Sequence, residues 1–202
     1  MFVQVIQGPV TDAAALRARL DTWVKELAPG AAGWLGSTSG VTDSGQAVLL
    51  ARFESEQAAR RNSERPEQGQ WWKETAGLFT AEPVFHDSQW VDVDTPGDPS
   101  RAGFVQVMQG RTSDPERARR LMLEDPTDWQ TFRPEILGSV SIGHDGDGWT
   151  MTLYFTSEEE AREGEKKEPP PESLEVMEEL GRLSLGEPAF LDLRDPWLHA
   201  PS

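Results

Sequence analysis

The chain opens with FVQVIQG (Phe2–Gly8), and an almost identical heptapeptide, FVQVMQG (Phe104–Gly110), returns in its middle. Only Ile6 and Met108 differ. The match continues without a gap from residues 34–60 onto 136–162, where Leu35, Gly36, Ser37, Ser39, Phe53, Ser55 and Glu56 recur as Leu137, Gly138, Ser139, Ser141, Phe155, Ser157 and Glu158. Further on, EPVFHD (Glu82–Asp87) falls on EPAFLD (Glu187–Asp192), after the second copy has gained three residues around Pro169, Pro170 and Pro171. A period near 100 residues is too long for a solenoid, whose repeats run to about 20–50. It is the size of a small domain. The expectation is a duplicated domain, with units at 1–92 and 103–202 joined by a linker at 93–102, VDTPGDPSRA, rich in Pro, Gly and Asp.

Each copy carries a local pattern that can be read directly. FVQVIQG alternates and is rich in β-branched residues, which predicts a strand. Leu16, Leu20, Trp23, Val24 and Leu27 then form one helical stripe behind a cap at Thr11 or Asp12. Two strands follow, joined by a turn at Asp43-Ser44-Gly45. Ser55 caps a second helix, which Pro66 interrupts before it resumes through the tryptophan pair. PVFHDSQWV closes the unit. The order β-α-β-β-α-β is the ferredoxin-like unit, an antiparallel sheet with helices on one face. The second copy gives the same order, with its first helix broken at Pro126. The first strand and AVLLA (Ala47–Ala51) are apolar on both faces, so the open face needs cover. The fold class expected is α+β: two tandem ferredoxin-like (βαββαβ) units packing sheet to sheet as an intramolecular dimeric α/β barrel. A homodimer of the whole chain stays open.

Composition excludes several functions. Cysteine is absent, which removes disulfides, thiolate nucleophiles and Cys-based metal sites. His86, His144 and His199 make no ligand pair by spacing, so no metal is expected. The net charge of −16 argues against nucleic acid and anionic membrane as partners. Met1 leads straight into a strand without a leader pattern, so a cytoplasmic protein is expected. No Ser–His–Asp order, P-loop or GxGxxG is present.

FESEQAARRNSERPEQ, followed by an aromatic helix and EPVFHD, resembles the antibiotic biosynthesis monooxygenase domain of the dimeric α/β-barrel superfamily. The resemblance covers nearly all of 1–92 and, more weakly, 103–195. It implies a barrel made here by a fused pair. It also implies a cofactor-independent oxygenase, in which a small aromatic or polyketide-like substrate is deprotonated and its anion reacts with O₂. The protein then supplies desolvation, aromatic walls and hydrogen bonds to the developing oxyanion. The haem-degrading branch of the superfamily fits poorly, because the only nearby histidine lies in the closing strand.

Carried onto this chain, the resemblance marks Asn62, Trp72 and His86 as catalytic candidates and Gln4, Trp34, Arg52 and Trp71 as substrate-binding candidates. Asn62 falls on Gly164 in the second copy, Trp71 and Trp72 on Val176 and Met177, and His86 on Leu191. The site therefore belongs to the first half, and the second is its degenerate partner. Each candidate also has a plain structural reading. Trp71 and Trp34 can be core, Asn62 a cap, His86 an ordinary strand histidine, and the glutamines shared by both copies a buried polar pair. A non-catalytic barrel protein that binds a small hydrophobic ligand, or serves only in assembly, is the alternative function.

Overall fold

The computed structural model describes residues 1–201. The elements of the first half are β1 (Phe2–Pro9), α1 (Ala13–Glu26), β2 (Trp34–Val41), β3 (Gln46–Phe53), α2 (Glu56–Ser63), α3 (Pro66–Ala76) and β4 (Val84–Ser88). Those of the second are β5 (Val91–Asp94), β6 (Phe104–Arg111), α4 (Pro115–Leu123), α5 (Trp129–Phe132), β7 (Ile136–His144), β8 (Gly148–Phe155), α6 (Glu158–Gly164), α7 (Pro171–Leu183), β9 (Ala189–Leu193) and β10 (Trp197–His199). Each half follows the β-α-β-β-α-β order that its sequence pattern predicts. Two five-stranded sheets result, ordered β10-β2-β3-β1-β4 and β5-β7-β8-β6-β9. No helix among the described residues is long and apolar enough to cross a membrane.

The helix boundaries follow their caps. Asp12 accepts from the Ala15 amide at 2.8 Å and Ser55 from the Ala58 amide at 3.2 Å. Each satisfies one of the free N–H groups of a helix start. Arg65 must be extended because a proline follows it. Its φ of −69° and ψ of 130° break α2 from α3.

The unit boundaries differ from the expectation. The chain divides into residues 1–91 with 193–202, and residues 92–192. Val91–Asp94, which overlaps the start of the expected linker, is the edge strand of the second sheet, and the C-terminal β10 is the edge strand of the first. The physical reason lies at the edges. β2 and β7 each present an unpaired row of backbone groups, and a short strand from beyond the six-element repeat satisfies them. Trp197, opposite Ser39, is buried among Ile6, Leu16, Leu49 and Phe79.

The strand register sorts the first sheet into two faces, because residues directly opposite share a side. Phe2, Gln4 and Ile6 lie opposite Phe53, Ala51 and Leu49, and Gln4 and Ile6 are also opposite Asp87 and Phe85. This face packs on the helices, where Trp23, Leu27, Trp34, Ala58 and Trp71 join Phe2 and Phe53 in one buried cluster. Val3, Val5, Leu50 and Val48 form the other face and are also buried.

Candidate active site

Small residues leave a space between the first sheet and its helices. Ser37 lies opposite Ala51, and Ser39 opposite Leu49, so three of these four positions carry small side chains toward the helix side. A cavity of about 210 Å³ fills that gap. Its aromatic lining comes from Trp23, Trp34, Phe53, Trp71, Trp72 and Phe85. Trp23 meets Trp34 edge to face at 5.1 Å between centroids, and Trp72 meets Phe85 in the same way at 5.5 Å. Such contacts hold large rings in fixed orientations.

The polar lining is uncharged: Gln4, Ser37, Ser39, Asn62, Ser63 and Gln68. Asn62 lies in the last turn of α2 and is 6% exposed. Its Oδ1 accepts from Arg65 Nη1 at 2.9 Å. A guanidinium only donates, so this contact fixes the amide orientation, and the NH₂ group keeps both its donors. Arg65 is itself held. It donates to the Leu27 carbonyl at 3.0 Å and pairs with Glu67 at 2.9 Å. A Cβ at Gly30 would stand 2.7 Å from Arg65 Nη2, so glycine there leaves the guanidinium its place. A backbone N–H and the Arg65 side chain hold the Glu67 carboxyl below its usual range.

Five of the seven sequence candidates come together around this cavity: Gln4, Trp34, Asn62, Trp71 and Trp72. Trp71 and Thr75 are buried, as the helical stripe predicts, and the Trp71 indole donates to the Arg19 carbonyl at 3.0 Å. Trp72 turns toward Phe79 and Phe85.

Arg52 and His86 are not part of this site. Arg52 lies opposite Val3 and His86 opposite Val5. Strand alternation therefore sends both to the sheet face away from the cavity, and neither lines it. No histidine lines the cavity.

The shared glutamines have a common structural partner. Gln4 Nε2 donates to Asp87 at 2.9 Å, and Gln106 Nε2 donates to Asp192 at 3.0 Å. The halves diverge elsewhere. Opposite Ser139 and Ser141 stand Leu153 and Met151, bulkier overall than Ala51 and Leu49. At Gly164, which takes the place of Asn62, a Cβ would collide with the Glu135 carboxylate and the Arg133 guanidinium, themselves an ion pair.

Three participants escaped the sequence reading: Trp23, Arg65 and Gln68. Trp23 was visible only as one member of a core stripe. Arg65 and Gln68 flank Pro66, and the break it imposes brings them to the end of α2 and the first turn of α3.

Neither a protein-family model nor a curated protein sequence matches the chain. Solved structures do. A candidate monooxygenase from Lactobacillus acidophilus superposes with a TM-score of 0.72 at 13% identity, over 98% of both chains. A candidate monooxygenase from Fusobacterium nucleatum gives 0.74 at 8% identity, over 100% of this chain and 94% of the other. An anthrone oxidase-like protein gives 0.65 at 14% identity, over 100% and 92%. At these identities the likeness establishes the fold.

Proposed function

We propose that the chain is a fused pair of units of the antibiotic biosynthesis monooxygenase type and that the first half is a cofactor-independent monooxygenase for a small aromatic substrate. The observation that carries this reading is the aromatic-walled cavity with the Asn62 amide turned donor-first by Arg65. An enol or phenol bound between the tryptophans would place its oxygen against that amide, its proton would pass to solvent water, and a preoriented donor stabilises the oxyanion as it forms. The carbanionic carbon conjugated with that oxygen takes up O₂, and the peroxide anion takes a proton back from water. Loss of water from the resulting hydroperoxide converts a CH₂ group into a carbonyl. One oxygen atom enters the product and the other leaves as water, so no external reductant is needed. The structural likeness to two candidate monooxygenases and an anthrone oxidase-like protein agrees with this chemistry. The volume narrows the substrate. About 210 Å³ is below the roughly 300–1,000 Å³ of sites for drug-sized ligands, which favours two or three fused rings over a larger polycycle.

One observation favours the alternative, a binding protein without turnover. No acid or base lines the cavity, so the protein offers no group there to take the substrate's proton, and fold does not decide function. Oxygen uptake with anthrone and with smaller bicyclic enols separates the two. The oxygenase reading expects uptake by the wild type and its loss in Asn62→Ala, with a weaker effect in Trp72→Phe. Tight binding without any oxygen uptake leaves the binding reading in its place.

A further inference from the structure

Asn62 is not the only amide in the cavity whose polarity is fixed by its neighbours. Gln68, in the first turn of α3, accepts through Oε1 from Trp23 Nε1 at 2.5 Å. An indole N–H can only donate, so the atom that meets it must be the amide oxygen. The Gln68 NH₂ then retains both donors, and no described residue accepts from it. Gln4 is fixed in the opposite sense. The Asp87 carboxylate accepts from its Nε2, which leaves Oε1 as an acceptor. The cavity therefore carries two amides presented as donors on the helix side and one presented as an acceptor on the sheet.

We propose that Gln68 is a specificity-determining residue and that, with Asn62, it selects ligands carrying a carbonyl or enolate oxygen over hydrocarbons of the same shape. Trp23 is the positioning residue, because its N–H stops the Gln68 amide from turning over. The substrate class is a small bicyclic aryl ketone and its enol. The ketone oxygen accepts from the helix-side amides, and an enol or phenol hydroxyl can donate to Gln4 Oε1. This deepens the reading of the cavity as a substrate site and rests on that reading, but not on its oxygen chemistry.

The test is a binding titration followed by quenching of tryptophan fluorescence, with 1-tetralone and tetralin as probes. The two share a bicyclic shape and differ in one carbonyl oxygen. The wild type is expected to bind 1-tetralone at least about fivefold more tightly, the effect of roughly one net hydrogen bond. Gln68→Met should reduce that ratio about fivefold while leaving tetralin affinity within about twofold. Gln68→Glu keeps the acceptor for Trp23 but removes the donor, and should lose the preference equally. Equal affinities in the wild type, binding of neither probe, or an unchanged ratio in Gln68→Met overturns the proposal. Failure of oxygen uptake leaves this experiment standing, so loss of the oxygenase reading and loss of this one are separate results.

Discussion

Arg65 donates through Nη1 to Asn62 Oδ1 at 2.9 Å, and this single contact decides which end of the Asn62 amide is free. An asparagine side chain presents a donor or an acceptor depending on a half-turn about its last bond. Here a donor-only partner, anchored to the Leu27 carbonyl and to Glu67, removes the choice. A site meant to stabilise negative charge needs its donors set before the charge appears.

That relationship separates stability from activity. Asn62→Asp keeps an acceptor for Arg65 and adds a charge attraction, so the melting temperature should stay within a few degrees of the wild type. The same change replaces the donor by an acceptor, and oxygen uptake should fall about 100-fold, the scale of losing one oxyanion donor. Arg65→Met should behave differently. It leaves a buried amide oxygen unpaired, costs about 1–3 kcal/mol, and lowers uptake by releasing the Asn62 orientation. Melting curves and uptake rates on the two variants check the split. Full activity in Asn62→Asp would show that the amide donor has no part in the chemistry.

The opposite face of the sheet supplies the control. His86 and Arg52 lie across from Val5 and Val3, not from the cavity residues. His86→Gln and Arg52→Met are expected to keep kcat and KM for an accepted substrate within about twofold in protein that remains folded, because neither side chain lines the cavity. A tenfold loss of kcat in His86→Gln would return that residue to the mechanism.

The repeat made the architecture legible. Residues 34–60 and 136–162 align without a gap, and hydrophobic alternation with caps at Ser55 and Ser157 set the element order. The edge strands were not legible. VDVD and WLH are too short for periodicity to signal them, and their role depends on which sheet edge lies within reach. The cavity lining is half legible. Asn62, Trp71 and Trp72 stand out by residue type and line it, whereas Arg52 and His86 fall on the other face, because alternation gives two faces without saying which one is hollow. Gln68 and Arg65 gave no signal of their own. Their roles come from a Pro66 break that turns one helix against another.

The Arg65 anchor has a defined pH response. The Glu67 carboxyl is held below its ordinary value of 4.5, first by a backbone N–H and then by Arg65. A carboxylate whose pKa is depressed on folding stabilises the folded state above its unfolded pKa, and that contribution is lost as pH falls through the depressed value. Glu67→Gln should therefore melt slightly below the wild type at pH 7. The gap should close as the pH falls through the depressed value. Glu67 is exposed to solvent, so the gap is small. Melting curves of both proteins at pH 7 and pH 3 test the sign, and a gap that widens in acid would contradict it.

Ala51 is the smallest side chain on the sheet floor of the cavity that the second half fills with a larger one. Ala51 lines it, opposite Gln4 and Ser37, while the second copy carries Leu153 at the matching position, opposite Gln106 and Ser139. Ala51→Leu would restore in the first half the side chain that the second already accommodates. The added methyl groups bury apolar area worth about 1 kcal/mol where the space accepts them. The variant should melt at or above the wild-type temperature. The added isobutyl group occupies the volume where a ring would lie, so 1-tetralone affinity and oxygen uptake should both fall by more than about tenfold, the result of losing complementarity worth more than about 1.4 kcal/mol. Melting curves and fluorescence titration on the same preparation read both effects. A stable variant that still binds 1-tetralone with wild-type affinity would place the ligand somewhere other than this cavity.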